Sequence, residues 1–194
     1  MSTHVPATST EIGLLAIAGQ EFRSRLTKVG SGHCRLITPC EGWSVRELVH
    51  HVVAGNRRAV HRLGEAEASM LDDSEFVGGD PLDSFDRSMS KQVEAFSLPD
   101  ALGRSCETAA RTMTGRELLH FRILDLVVHA WDLARALGID ETLSPEVVAQ
   151  TWDLVAPQSS VLGLMGVFGS GSSGTLPAEA SLQNRLLDVT GRRP

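Results

Sequence analysis

The chain has 194 residues and a mass of 20.9 kDa, a size that suits one domain with a real hydrophobic core. Apolar residues make up 42% and charged residues 22%, which argues against wholesale disorder and against a fold that depends on disulfides or a structural metal. A net charge of −6, with no cluster of Lys and Arg interleaved with aromatics, argues against nucleic acid or an anionic membrane as a partner.

Residues 1–10 read as a flexible stretch. From residue 11 to residue 29, Ile12, Leu15, Phe22, Leu26 and Val29 recur at mostly helical spacing and predict a first helix, ended by Gly30, Gly32 and the stretch to Pro39. The apolar run Ile12 to Ala18 has no basic region before it and does not read as a signal peptide. No segment approaches the ~18 apolar residues of a membrane span. Cys34, Cys40 and Cys106 are odd in number and form no CxxC, which favours a reducing compartment, the cytoplasm.

The second helix has a clear start. Ser44 and Glu47 form a capping box, Trp43 and Leu48 are placed for a hydrophobic staple, and the helix should run from about Val45 to Leu63. Asp80 and Pro81 open a third helix through Leu82, Phe85, Met89, Val93 and Phe96, ending near Pro99. A second capping box, Thr114 with Glu117, and the terminator Gly138 bound a fourth helix of roughly 23 residues and about 34 Å. Ser144 and Pro145 open a fifth, and Ala178 to Val189 predicts a short last helix. Gly169 to Gly174 reads as a mobile Gly/Ser loop. With no sustained two-residue alternation and no repeat, the expectation is all-α: an up-and-down four-helix bundle with short additional C-terminal helices, one domain over residues 1–194. An exposed helix face could serve a homodimer.

The fourth helix carries the functional signal. Leu119, Ile123, Leu124, Leu126, Val127, Val128 and Trp131 point in every direction at about 100° per residue, so the helix is expected to be buried. Yet it carries Asp125, His129 and Asp132 at i, i+4 and i+7 on one stripe, and a buried carboxylate beside a buried imidazole needs a charge partner or a metal. In a bundle the third ligand should come from a facing helix. On the second helix His50 falls near the polar face with Arg46, Arg57 and His61, whereas His51, at about 240° from Val45, lies at the edge of the buried face. Gly55 leaves space beside it. His51, Asp125 and His129 would hold a divalent transition metal and leave positions open for water or substrate. The bland alternatives are an Asp125–Arg122 ion pair and a His129 hydrogen-bonded in the core. Cys40, Trp43 and Trp131 read more simply as packing residues than as a redox thiol or a ligand pocket, and Glu47 has its capping role. His4, His33, His61 and His120 are assigned nothing.

Three stretches carry a family resemblance: Thr38-Pro-Cys-Glu-Gly-Trp-Ser-Val-Arg-Glu-Leu-Val-His-His-Val, Asp125-Leu-Val-Val-His-Ala-Trp-Asp-Leu-Ala-Arg-Ala-Leu-Gly, and Arg185-Leu-Leu-Asp-Val-Thr-Gly-Arg-Arg-Pro. Together they resemble the actinobacterial DinB-like metal-binding proteins, similar to the N-terminal domain of mycothiol-dependent maleylpyruvate isomerase. The resemblance implies a DinB-like four-helix fold and a metal on one helix-two histidine and an E-x-x-x-H pair, positions that fall on His51, Asp125 and His129. Asp125 stands where the isomerase has glutamate, one methylene longer. The implied activity is that of a transferase or isomerase using mycothiol or a similar thiol against an electrophilic substrate, with zinc first among the metals and nickel or ferrous iron also suited. A non-catalytic metal-binding or ligand-sensing bundle is the rival expectation, and a degenerate structural relative the third. Asp132 would orient His129 from behind, bind substrate, or pair with Arg135; Arg122 would pair with Asp125 or recognise a carboxylate.

Overall fold

The computed structural model describes residues 7–64, 80–108, 111–159 and 168–194. Six helices follow in order: α1 (Ala7–Leu26), α2 (Val45–Arg62), α3 (Pro81–Ser97), α4 (Gly115–Leu137), α5 (Pro145–Val155) and α6 (Leu182–Val189). Two three-residue strands, β1 (Ser105–Glu107) and β2 (Thr112–Thr114), pair antiparallel between α3 and α4, with Cys106 opposite Met113.

The helix ends follow local chemistry. The Glu47 carboxylate accepts the Ser44 backbone N–H at 2.6 Å, and the Glu117 carboxylate accepts that of Thr114 at 2.7 Å, which satisfies donors that a helix start leaves open. Asp80 Oδ1 accepts from the Leu82 N–H at 2.9 Å. Two boundaries depart from the expectation. The first helix is already formed at Ala7, the first described residue, four residues ahead of the expected start. The last begins at Leu182, since residues 178–181 form a turn whose Ala178 and Ala180 carbonyls are held by the Arg185 guanidinium.

The bundle is present, but α1 and α2, consecutive in the chain, are not neighbours in it. α1 packs against α3 and α4, and α2 packs against the same two, so α1 and α2 sit at opposite corners. α5 covers the far side of α4 and carries α6. Surrounded by α1, α2 and α5, α4 is buried at every residue from Arg122 to Ala134, which is why its apolar side chains point all round. Its Leu119, Ile123, Leu126 and Trp131 join Leu15, Phe22, Leu48, Phe85 and Phe96 in one core. Among the described residues no helix is long and apolar enough to cross a membrane.

The glycine-serine loop is anchored rather than loose. Asp188 accepts Ser172 Oγ–H at 2.5 Å and the Ser173 N–H at 3.0 Å, and Arg193 donates to the Gly171 carbonyl at 3.2 Å. Gly191, at φ +80°, crosses so near Gly169 that a Cβ there would stand 2.8 Å from Ser170 N. Only glycine permits both the backbone conformation and the approach.

Candidate metal centre

α4 runs beside α2, and this brings His51 against the middle of α4. His51 Nε2 lies 3.3 Å from Asp125 Oδ1, and His129 Nε2 lies 3.4 Å from the same oxygen. The two imidazole rings meet edge-on with centroids 5.0 Å apart. Charge-assisted N–H···O⁻ hydrogen bonds are shorter, about 2.7–2.9 Å, whereas two donors on one ion at about 2.1 Å stand roughly 3.0–3.4 Å apart. These two nitrogen–oxygen spacings fit edges of a coordination polyhedron, and the three donor atoms all lie within 4.8 Å of one another. Although Asp125 is one methylene shorter than glutamate, its Oδ1 reaches both rings.

The second donor atoms of Asp125 and His129 are both engaged. Asp125 Oδ2 accepts from Arg122 Nη1 at 2.8 Å, so the carboxylate offers an ion one oxygen rather than two. Arg122 is itself held by Gln92 Oε1 at 3.0 Å and Asn56 Oδ1 at 2.8 Å, and Asn56 donates to Ser88 Oγ at 3.1 Å. The space at Gly55 serves this guanidinium, not His51: a Cβ there would lie 2.4 Å from Arg122 Nη1. On the other side, His129 Nδ1–H donates to Asp132 Oδ2 at 2.9 Å, which fixes the tautomer that leaves Nε2 for an ion.

Burial pushes the Asp125 carboxyl up, but the Arg122 guanidinium and the His129 ring hold it well below the usual carboxylate range. Burial likewise pulls His129 down, yet Asp125 and Asp132 hold it well above an ordinary imidazole. The His129 ring thus lies between two carboxylates, with Nδ1 on Asp132 and Nε2 facing Asp125. His51 is lowered, chiefly by burial. Asp125 and His129 are closed to solvent, while the His51 side chain keeps 31% exposure and marks the open side of the centre.

The structure therefore brings His51, Asp125, His129 and Asp132 together, and it adds three residues that the sequence did not assign. Trp43 lies over the centre, 4.7 Å from the His51 ring and 6.0 Å from that of His129. Cys40 Sγ is 3.2 Å from Asp132 Oδ2 and 3.8 Å from His129 Nδ1. Arg192 grips Asp132 through Nη2–Oδ2 at 2.7 Å and Nε–Oδ1 at 3.2 Å. All three lie in the quoted sequence blocks, which was their only signal. Cys40, His129 and Asp132 could in principle hold a second ion, but the Arg192 guanidinium already supplies the positive charge there, 3.4 Å from Cys40 Sγ. Arg135 is taken up elsewhere, by Glu141 at 2.8 Å and the Trp131 ring at 4.2 Å. Among the unassigned histidines, His120 pairs with Glu11 at 2.8 Å.

Comparison with known proteins bears on the fold and the family. The chain is 28% identical over 145 residues to an uncharacterized protein found in two strains of Mycobacterium tuberculosis, an overlap of 73% of this chain and 77% of the relative. The crystal structure of the mycothiol-dependent maleylpyruvate isomerase superposes with a TM-score of 0.59 at 18% identity, over 90% of this chain and 75% of that one. A histidine-to-alanine mutant of the same isomerase gives a TM-score of 0.60 at 18% identity, over 91% and 76%. These solved structures share the fold. A family model, mycothiol maleylpyruvate isomerase N-terminal domain, matches residues 15–134, a span that holds His51, Asp125, His129 and Asp132, and the chain belongs to that family.

Proposed function

We propose that the chain binds one divalent transition-metal ion through His51 Nε2, Asp125 Oδ1 and His129 Nε2, and acts as a thiol-dependent transferase or isomerase with mycothiol or a similar small thiol. The observation that carries the reading is the convergence of two imidazole nitrogens on one carboxylate oxygen at 3.3 and 3.4 Å. Two nitrogens and one oxygen suit zinc first, and nickel or ferrous iron as well. When bound, the ion stabilises a coordinated thiol as its thiolate, the nucleophilic form. The protein's part is positioning. Asp132 holds the His129 ring, Arg122 holds Asp125, Trp43 screens water from above, and the exposed flank of His51 leaves a path for thiol and electrophile. The thiol S–H bond breaks with its proton leaving to solvent, and the sulfur adds to an activated carbon–carbon double bond whose π pair is drawn onto the conjugated carbonyl; a transferase protonates that adduct and keeps the sulfur–carbon bond, and an isomerase returns the pair after rotation about the resulting single bond, re-forming the double bond and expelling the thiolate. The unpaired cysteine set supports a reducing compartment, the cytoplasm.

The test is elemental analysis of the purified protein beside His51→Ala and His129→Ala, with circular dichroism to confirm folding. About one equivalent of metal per chain, lost from both folded variants, is expected. A protein that stays empty after reconstitution with zinc overturns the reading. Substrate-dependent consumption of a thiol, abolished in the same variants, establishes catalysis; metal binding with no thiol chemistry leaves a metal-binding or ligand-sensing module.

A further inference from the structure

We propose that the segment after α6 is part of the metal centre, with Arg192 as a positioning residue that sets the metal affinity of His129 through Asp132. The inference rests on the metal-binding reading above and concerns residues beyond the span matched by the family model. Three observations carry it. First, Asp132 is fully buried, and its two oxygens receive four contacts: His129 Nδ1 at 2.9 Å, Arg192 Nη2 at 2.7 Å, Arg192 Nε at 3.2 Å and Cys40 Sγ at 3.2 Å. Only Arg192 engages both oxygens, so the guanidinium fixes the plane of the carboxylate that in turn fixes the His129 ring. Second, Arg192 is 9% exposed and among the described residues pairs with no acid but Asp132; its Nη1 is spent on the Thr190 carbonyl at 2.8 Å, which holds the fork in register. Third, the backbone that delivers it is itself clamped. Arg193 donates to Asp188 Oδ1 at 3.2 Å, and Gly191 crosses Gly169 at a distance no side chain would allow.

Outer partners of metal-bound histidine are worth roughly 10–100-fold in metal affinity. Without Arg192, Asp132 keeps its charge but loses the bidentate contact that aims it. The His129 ring is then free to tilt away from the shared ligand position. Lys at 192 restores the charge without the fork and should recover only part of the effect.

Isothermal titration of metal-free protein with zinc(II) tests this, using the wild type, Arg192→Met, Arg192→Lys and Gly191→Ala, with thermal unfolding run in parallel. The expected result is a zinc Kd weakened about 10–100-fold in Arg192→Met, less in Arg192→Lys, and weakened also in Gly191→Ala, which alters no atom of the centre. A folded Arg192→Met that binds zinc as the wild type does, even with a lowered Tm, reduces Arg192 to a structural residue and overturns the proposal while the metal reading stands. A wild type that binds no zinc overturns both. Should Arg192→Met fail to fold, Arg192→Lys and Gly191→Ala decide by the same comparison.

Discussion

Arg122 holds Asp125, a candidate metal ligand, from behind: its Nη1 donates to Asp125 Oδ2 at 2.8 Å. It and Asp125 are both 3% exposed, three residues apart on α4, and Gly55 on the facing helix is hollowed out to admit the guanidinium. Removing one member of such a buried pair leaves the other charge uncompensated. Arg122→Met should therefore cost about 3–5 kcal/mol in urea unfolding of the metal-free protein. Zinc should recover part of the loss by supplying a new cation to Asp125. A loss below about 1 kcal/mol would mean that Asp125 is neutral or re-paired. At this scale the sequence was partly legible. The i, i+3 and i, i+4 rules on α4 point to Arg122, Asp125 and His129, because a helix fixes those distances. The same rules suggested Arg135 for Asp132. They have no access to Arg192, 60 residues away, which wins because it arrives as a two-pronged donor on a buried carboxylate.

At the scale of elements, caps and prolines marked the starts of α2, α3 and α4 to the residue, since capping is a local transaction between side chain and backbone. The β1–β2 hairpin was not legible: three-residue strands are too short for alternation to register, and they hold by pairing with each other. The anchored loop was misjudged for a related reason. Gly and Ser in succession suggest slack until an acceptor such as Asp188 is brought near by α6. Burial pushes Asp188 up, but hydrogen bonds from Ser172 and Ser173 and the Arg193 charge hold it below the ordinary aspartate value. A depressed acid stabilises the fold at pH values above about 4, its unfolded pKa, and that contribution fades as pH falls through the lower folded value. The urea midpoint of the wild type should exceed that of Asp188→Asn most at neutral pH, with the gap closing in acid. A gap that is constant with pH would assign the loop's order to its hydrogen bonds alone.

For the whole molecule, the periodicity of apolar residues established an all-α bundle but not which helices touch. A buried stripe says that a face is covered, not by what, and α1 and α2, consecutive in sequence, end at opposite corners. That arrangement leaves α4 in contact with both, and with α5 behind it, so one central helix can present ligands inward while segments from residue 40 to residue 192 close around it. The indole above the centre has a consequence of another kind. Trp43 lies tilted over His51 and His129, at 4.7 and 6.0 Å, so an ion bound to their nitrogens would sit within reach of its excited state. An open-shell ion such as cobalt(II) should dim the intrinsic emission in proportion to occupancy, closed-shell zinc should dim it far less, and Trp43→Phe should abolish most of the cobalt response. Equal dimming in that variant would place the ion elsewhere. On the proposed metal reading, the protein would carry its own optical gauge of metal loading, readable without any label.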